Sequence, residues 1–284
     1  MMAGILYVVG TPIGNLGDIS PRALETLEKV DFIAAEDTRV TLKLLNHFGI
    51  KKPLISYFEH NKRERGEIIC QRILNGENCA IVTDAGMPCI SDPGEMLISQ
   101  CIEYGIITRA IPGPSAVVSA LALSGLPTGR FTFEGFLSVN KKSRREHLEE
   151  VKKEKRTMIF YEAPHKLNAT LKDMLDAFGN RKIAIVRELT KIHEEVISTT
   201  LEKAVSDYAE SPLKGEIVLI VDGVKEDEFS EEYTPEDAVI MALTLAKKEN
   251  ISASESAKRV AKITGIKKGI IYKMITERDD EDEL

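Results

Sequence analysis

The chain has 284 residues, 43% hydrophobic and 29% charged, the balance of a folded globular protein rather than a disordered or fibrous one. No apolar run approaches the roughly 18 residues of a membrane span, and Met1-Met2-Ala3-Gly4 lacks the basic start of a secretory signal, so a cytoplasmic location is expected. The net charge of −7 argues against a nucleic-acid partner only at first sight, because residues 225–237 and 279–283 concentrate the acid and leave the remainder mildly basic.

The first 111 residues alternate short apolar runs with helical patterns. Strands are expected over 5–9, 32–35, 54–57, 80–83 and 106–110. Between them, Ser20 caps a helix with Pro21 at its first position. Further helices are expected over 40–48, over 63–74 with Ile68, Ile69 and Ile73 on the apolar side, and over 95–104. Such alternation implies a mostly parallel sheet covered on both faces. Pro112-Gly113-Pro114 is the strongest break in the chain and marks a boundary. Helices then follow over 115–124, 141–154, 164–178 and 201–209. They are interspersed with strands over 130–136, 157–161, 182–187, 195–199 and 216–221, which imply a mixed sheet. Residues 225–233 read as an acidic linker. Three further helices are expected over 235–248, 254–263 and 268–275, the last two broken at Thr264-Gly265 as in a helix-turn-helix. The expected domains are therefore 1–111, 112–224 and a small helical domain over 234–277.

Cys70, Cys79, Cys89 and Cys101 form no C-x-x-C pair and have no histidine nearby in sequence. They read as small thiols in a reducing compartment, and no metal site is expected.

Three loops carry the candidate chemistry. Residues 10–17 follow a buried strand, and their glycines allow a ligand to approach the backbone. The loop is neither G-x-G-x-x-G nor a P-loop, and a plain turn explains it equally well. Residues 83–94 leave a strand expected at the centre of the sheet, where open α/β sheets bind ligands. There Asp92-Pro93 reads as a helix start, which leaves Asp84 as the freer carboxylate. In the third loop, residues 111–116, Ser115 either caps a helix or donates to a ligand.

Taken in order, V-G-T-P-I-G-N-L at 9–16, A-E-D-T-R at 35–39, the 83–94 loop and F-Y-E-A-P-H-K at 160–166 resemble the tetrapyrrole methylase family. More narrowly, they resemble its branch that methylates the ribose 2′-hydroxyl of a cytidine in the decoding region of small-subunit ribosomal RNA. The resemblance implies two α/β domains with a cofactor cleft between them, plus the small C-terminal helical unit. It implies S-adenosylmethionine as cofactor, small-subunit ribosomal RNA as substrate, within the ribosomal subunit, and a homodimer. It assigns Pro12, Asp84, Gly86, Met87, Ile90, Ser91, Ser115 and Ala116 to the cofactor from the first domain. Tyr161, Glu162, Glu188, Leu189 and Gly215 are assigned from the second.

A ribose hydroxyl is a weak nucleophile at neutral pH, so a general base is expected. Glu36, Asp37, His60, Glu162 and His165 are candidates. Asp37 is preferred because it follows a strand at the ligand end of the sheet, although capping the next helix explains it as well. On that reading Asp37→Asn lowers turnover more than cofactor affinity. For RNA, the basic segment 141–156 offers Lys141, Lys142, Arg144 and Arg145 as phosphate contacts, and Arg39 is a further one. Two other readings stay open: C-methylation of a porphyrin or corrin precursor, and a non-enzymatic nucleic-acid-binding regulator.

Overall fold

A computed structural model describes residues 2–209, 213–224 and 234–281; the expected linker at 225–233 lies outside the described residues. The chain separates into one compact unit up to residue 223 and a second from 224 onward. The first unit contains two five-stranded sheets.

The first sheet is built from β1 (Ile5–Val9), α1 (Pro21–Lys29), β2 (Phe32–Ala35), α2 (Thr38–His47), β3 (Leu54–Ser56), α3 (Lys62–Leu74), β4 (Cys79–Val82), α4 (Gly94–Glu103) and β5 (Ile107–Ile111). Its order is β3-β2-β4-β1-β5, and every pairing is parallel. The strand sequences dictate this, since runs such as Phe32-Ile33-Ala34-Ala35 are apolar on both faces and need helices on both sides. Ile69, Ile73, Leu97 and Cys101 cover one face. Ala23, Leu27 and Leu45 cover the other. Ser20 caps α1 by accepting from Ala23 N at 3.1 Å. Ile68, expected on the apolar side of α3, is exposed instead. The buried stripe runs through Gly66, Ile69, Cys70 and Ile73, one helical face from which Ile68 turns away. Because all five strands are parallel, their C-terminal ends share one edge. The loops after β1, β2, β3, β4 and β5 gather there, with β4 at the centre.

The second sheet is built from α5 (Ala116–Leu123), β6 (Phe131–Phe136), α6 (Lys141–Val151), β7 (Thr157–Glu162), α7 (Leu167–Phe178), β8 (Lys182–Arg187), β9 (Glu195–Thr200), α8 (Leu201–Asp207) and β10 (Ile217–Val221). Its order is β6-β7-β10-β8-β9, and it is mixed as expected. Only β6 and β7 run parallel, joined across α6. The short 188–194 connection allows β8 and β9 only an antiparallel pairing. Leu148, Phe160, Leu171, Met174 and Leu219 pack on one face. On the other, Val117, Ala120 and Leu121 of α5 pack against Ile159, Val186 and Val218. Ile13, from the loop after β1, joins this second core and so ties the two sheets into one unit.

The second unit holds α9 (Pro235–Glu249), α10 (Ala253–Thr264) and α11 (Lys268–Glu281) around Val239, Ala242, Ala257, Val260, Ile271 and Ile275. Thr234 and Asp237 form a reciprocal capping box at the start of α9. Gly265, at φ +71°, ends α10, and α11 runs past the expected residue 275. Among the described residues no helix is long and apolar enough to cross a membrane.

Candidate active site

The three loops are knitted together by backbone contacts. Thr11 N donates to Gly86 O at 2.9 Å, and Gly86 N returns a bond to Thr11 O at 3.1 Å. The Thr11 hydroxyl donates to Thr83 O at 3.2 Å. Gly10 N donates to Ile111 O at 3.0 Å. Gly10 and Gly113 then pass so closely that a Cβ on Gly10 would lie 2.7 Å from Gly113 Cα, a spacing only glycine permits. Asp92 sits one position earlier than a capping residue, because Pro93 occupies the N-cap of α4. Its carboxylate is structural all the same, accepting from Cys89 N at 2.8 Å and Gly94 N at 2.7 Å. Cys89 and Ser91 in this loop, and Glu188 and Thr190 after β8, all take positive φ. Such strain persists only where the surroundings over-determine the backbone, and it gathers at functional sites.

A cavity of about 450 Å³ opens between these loops and the second sheet. Of the sequence-expected residues, Asp84, Gly86, Met87, Ile90, Ser91, Ser115, Ala116, Tyr161, Glu162 and Leu189 line it. Ser115 occupies the N-cap position of α5 but makes no side-chain capping bond, so its hydroxyl is not consumed there. Pro12, Glu188 and Gly215 are not in the wall; Ile13 and Glu216, their neighbours in sequence, are. Glu188 acts as a latch, accepting from Glu216 N at 2.9 Å and pairing with Lys191 at 3.1 Å. The Glu216 N–H, and then Lys191, hold its carboxyl below the usual range. Gly215, at φ +90°, makes room for it, since a Cβ there would meet the Glu188 side chain at 2.3 Å.

Sequence reasoning missed Phe136, Ile217 and Val218 as wall residues. They reach the cavity because β6 and β10 flank β7, which places Phe136 and Val218 beside Tyr161 and Ile217 beside Glu162. Strand pairing of that kind leaves no local signal.

Among the described residues, the wall contains Glu36, Asp84, Asp92, Glu162 and Glu216 and no lysine, arginine or histidine. Glu36 accepts from the Thr83 hydroxyl at 2.6 Å. Asp84 Oδ1 accepts from Asp37 N at 3.1 Å. Burial, reinforced by the nearby Glu36 and Asp37 charges, pushes the Asp84 carboxyl above the ordinary aspartate range. Glu162 is buried and accepts from Ala163 N and the Thr170 hydroxyl. Asp37 lies outside the wall. It caps α2 by accepting from Arg39 N at 2.8 Å and pairs with Arg39 Nε at 3.0 Å. The Arg39 guanidinium holds its carboxyl down to about 2, so its lone pairs are committed.

The basic segment of α6 divides. Lys141 and Lys142 are exposed. Arg144, expected to touch phosphate, is only 8% exposed and pairs with Asp173 at 2.6 Å. It falls one helical turn before the buried Leu148, on the side facing the sheet. Arg145 is shared between Asp173 at 2.8 Å and Asp176 at 3.4 Å. The K-K-S-R-R run thus serves partly as an internal tether.

A parallel sheet whose C-terminal loops meet a mixed sheet across a cavity defines a two-sheet α/β protein with a ligand site at the carboxyl ends of its strands. Residues 5–205 match the tetrapyrrole (corrin/porphyrin) methylases, and the chain belongs to that family of methyltransferases. It is similar to the ribosomal RNA small subunit methyltransferase I of Halalkalibacterium halodurans, 48% identical over 274 residues, covering 95% of this chain and 93% of that one. The protein of the same name from Thermotoga maritima is 48% identical over 220 residues, covering 78% of this chain and 99% of the relative. Among solved structures, the uroporphyrin-III-C-methyltransferase of Thermus thermophilus matches with a TM-score of 0.55. It is 18% identical, and the match covers 77% of this chain and 94% of that one, a likeness of fold.

Proposed function

We propose that this enzyme uses S-adenosylmethionine to methylate the ribose 2′-hydroxyl of a cytidine in the decoding region of small-subunit ribosomal RNA, acting within the ribosomal subunit. The observation that carries the cofactor is the set of wall carboxylates with no basic side chain among the described residues, which suits a cation and disfavours a phosphate-bearing ligand. The relatives' shared name supports the RNA acceptor over a tetrapyrrole or a regulatory role.

When bound, the cofactor supplies a methyl group on a positively charged sulfonium. Glu36 and the backbone of the loops after β4 and β5 would hold its polar ends. Ile13, Met87, Ile90 and Leu189 form the apolar slot for its adenine. Asp84, rather than Asp37, accepts the proton that leaves the ribose hydroxyl. Its raised pKa makes it the stronger base, whereas the Arg39-clamped Asp37 is a poor one. Asp37 instead fixes Asp84 through its backbone N–H. Ile102 at 69% exposure and Ile107 at 58%, with Tyr104 between them in sequence, offer an apolar surface for a homodimer, which sedimentation at graded concentration tests.

Labelled S-adenosylmethionine is incubated with small ribosomal subunits lacking the modification, and the nucleosides are mapped. Label on a 2′-O-methylcytidine is expected. Label on a tetrapyrrole, or cofactor binding without transfer to RNA, overturns the reading.

A further inference from the structure

The corner between β3 and α3 is built with unusual rigidity. Tyr57 is buried; its N–H donates to Ala35 O at 2.8 Å and its hydroxyl to Pro93 O at 3.2 Å. These bonds pin the corner to the end of β2 and to the loop after β4, both of which carry cavity-wall residues. Neighbouring strands lie about 5 Å apart, so the corner stands one strand spacing from the backbone just before Glu36. Asn61 closes the turn, its side chain accepting from Phe58 N at 2.9 Å and donating to Ser56 O at 3.1 Å. On this frame Phe58 is 38% exposed, and His60 meets its ring edge-on with centroids 6.2 Å apart.

A single exposed phenylalanine is common. Here, however, exposed guanidinium groups follow it in sequence at the start of α3. Arg63 and Arg65, in the first turns of α3, are exposed and have no carboxylate partner among the described residues. Arg39, in the first turn of α2, has a side chain 86% exposed even while bound to Asp37. The contrast with Arg144 and Arg145 is direct, since those are engaged by Asp173 and Asp176. An exposed aromatic ring followed within two helical turns by two exposed arginines without an ion-pair partner among the described residues suits a single strand, whose bases stack while its phosphates meet the cations. The carboxylates of the cavity wall repel phosphate, so a strand held at this corner would turn its sugar rather than its phosphates toward the interior.

We infer that this corner is the platform that grips the acceptor RNA strand, with a nucleobase stacked on Phe58 and phosphates on Arg63, Arg65 and Arg39; the inference rests on the RNA-methylating reading above. The test uses the full chain. Binding of a labelled single-stranded oligoribonucleotide is followed by fluorescence anisotropy, S-adenosylhomocysteine binding by calorimetry, and KM and kcat on unmodified subunits.

Phe58→Ala weakens RNA binding about tenfold and raises KM with little change in kcat. Phe58→Leu, which keeps apolar bulk without the ring, behaves like the alanine variant, and Phe58→Tyr behaves like wild type. Combined Arg63→Gln and Arg65→Gln flattens the plot of log affinity against log salt by about 1 to 1.5. S-adenosylhomocysteine binding is unchanged throughout, which shows that each variant is folded. Wild-type RNA affinity and KM in Phe58→Ala, or an unchanged salt slope in the arginine variant, overturns the platform while leaving the methyltransferase reading intact. A wild-type protein that binds S-adenosylhomocysteine but neither binds nor methylates RNA overturns both.

Discussion

The two sheets of the first unit treat their charged groups in opposite ways. Around the second sheet, carboxylates and cations neutralise each other locally: Arg144 and Arg145 with Asp173, and Glu188 with Lys191. At the C-terminal edge of the first sheet, Glu36 and Asp84 face the cavity with only a hydroxyl or an N–H for a partner. Arg63 and Arg65, in the helix that follows β3, are exposed. A charge satisfied at home stabilises the fold, whereas one left underused is available to a ligand. In the proposed mechanism the second sheet works as wall and frame, and the first sheet's loops carry the chemistry.

The sharpest way to break that contrast is Asp84→Asn. Turnover is expected to fall by about 10²- to 10⁴-fold with S-adenosylhomocysteine affinity changing much less, measured by single-turnover methylation and calorimetry. Wild-type turnover in this variant removes Asp84 as the base. The same substitution also tests the sign of the electrostatics. Asp84 has a folded pKa above its unfolded value, so ionising it costs stability as pH rises through that pKa. Asp84→Asn should melt higher than wild type at neutral pH, with the gain vanishing below the unfolded aspartate pKa. For the same reason, the wild-type rate should climb with pH through an apparent pKa above the ordinary aspartate range.

On the second sheet, Arg144→Ala should cost about 1 to 3 kcal/mol, because it leaves buried Asp173 with Arg145 as its remaining cation, while kcat of the folded fraction holds. Chemical denaturation checks this, and a cost near zero would return Arg144 to the surface. Gly113→Ala should follow, weakening S-adenosylhomocysteine binding through the Gly10 contact, where a Cβ would meet Gly10 Cα at 2.8 Å. Calorimetry reads this, and unchanged affinity would show that the loops separate freely. The smallest effect belongs to Asp37→Asn. Asparagine caps a helix as well as aspartate, so turnover should fall less than about tenfold. A drop as large as that of Asp84→Asn would restore Asp37 to the base role.

The arrangement of strands and helices was legible from end to end, because a parallel sheet demands strands apolar on both faces and helices with one apolar stripe. Ser20-Pro21 and Gly265 announced their helix ends through capping chemistry that lies within one turn. Short loops with glycine and proline also announced most of the first sheet's share of the cavity. Where the reading failed, the cause was a partner remote in sequence. Arg144 looked like a surface cation until Asp173, on a different helix, was brought beneath it. Asp37, the preferred base, is the exception, since it is clamped by Arg39 only two residues away. Phe136 and Val218 carried no sign of a site, since only the pairing of β6 and β10 with β7 brings them there.

The sequence by itself thus determined the elements, their covered sheets and the loops that bound the cavity, because these depend on periodicity and on backbone rules acting over a few residues. Only the tertiary structure decided which charges are neutralised and which face the cavity, because that depends on distances between side chains far apart along the chain.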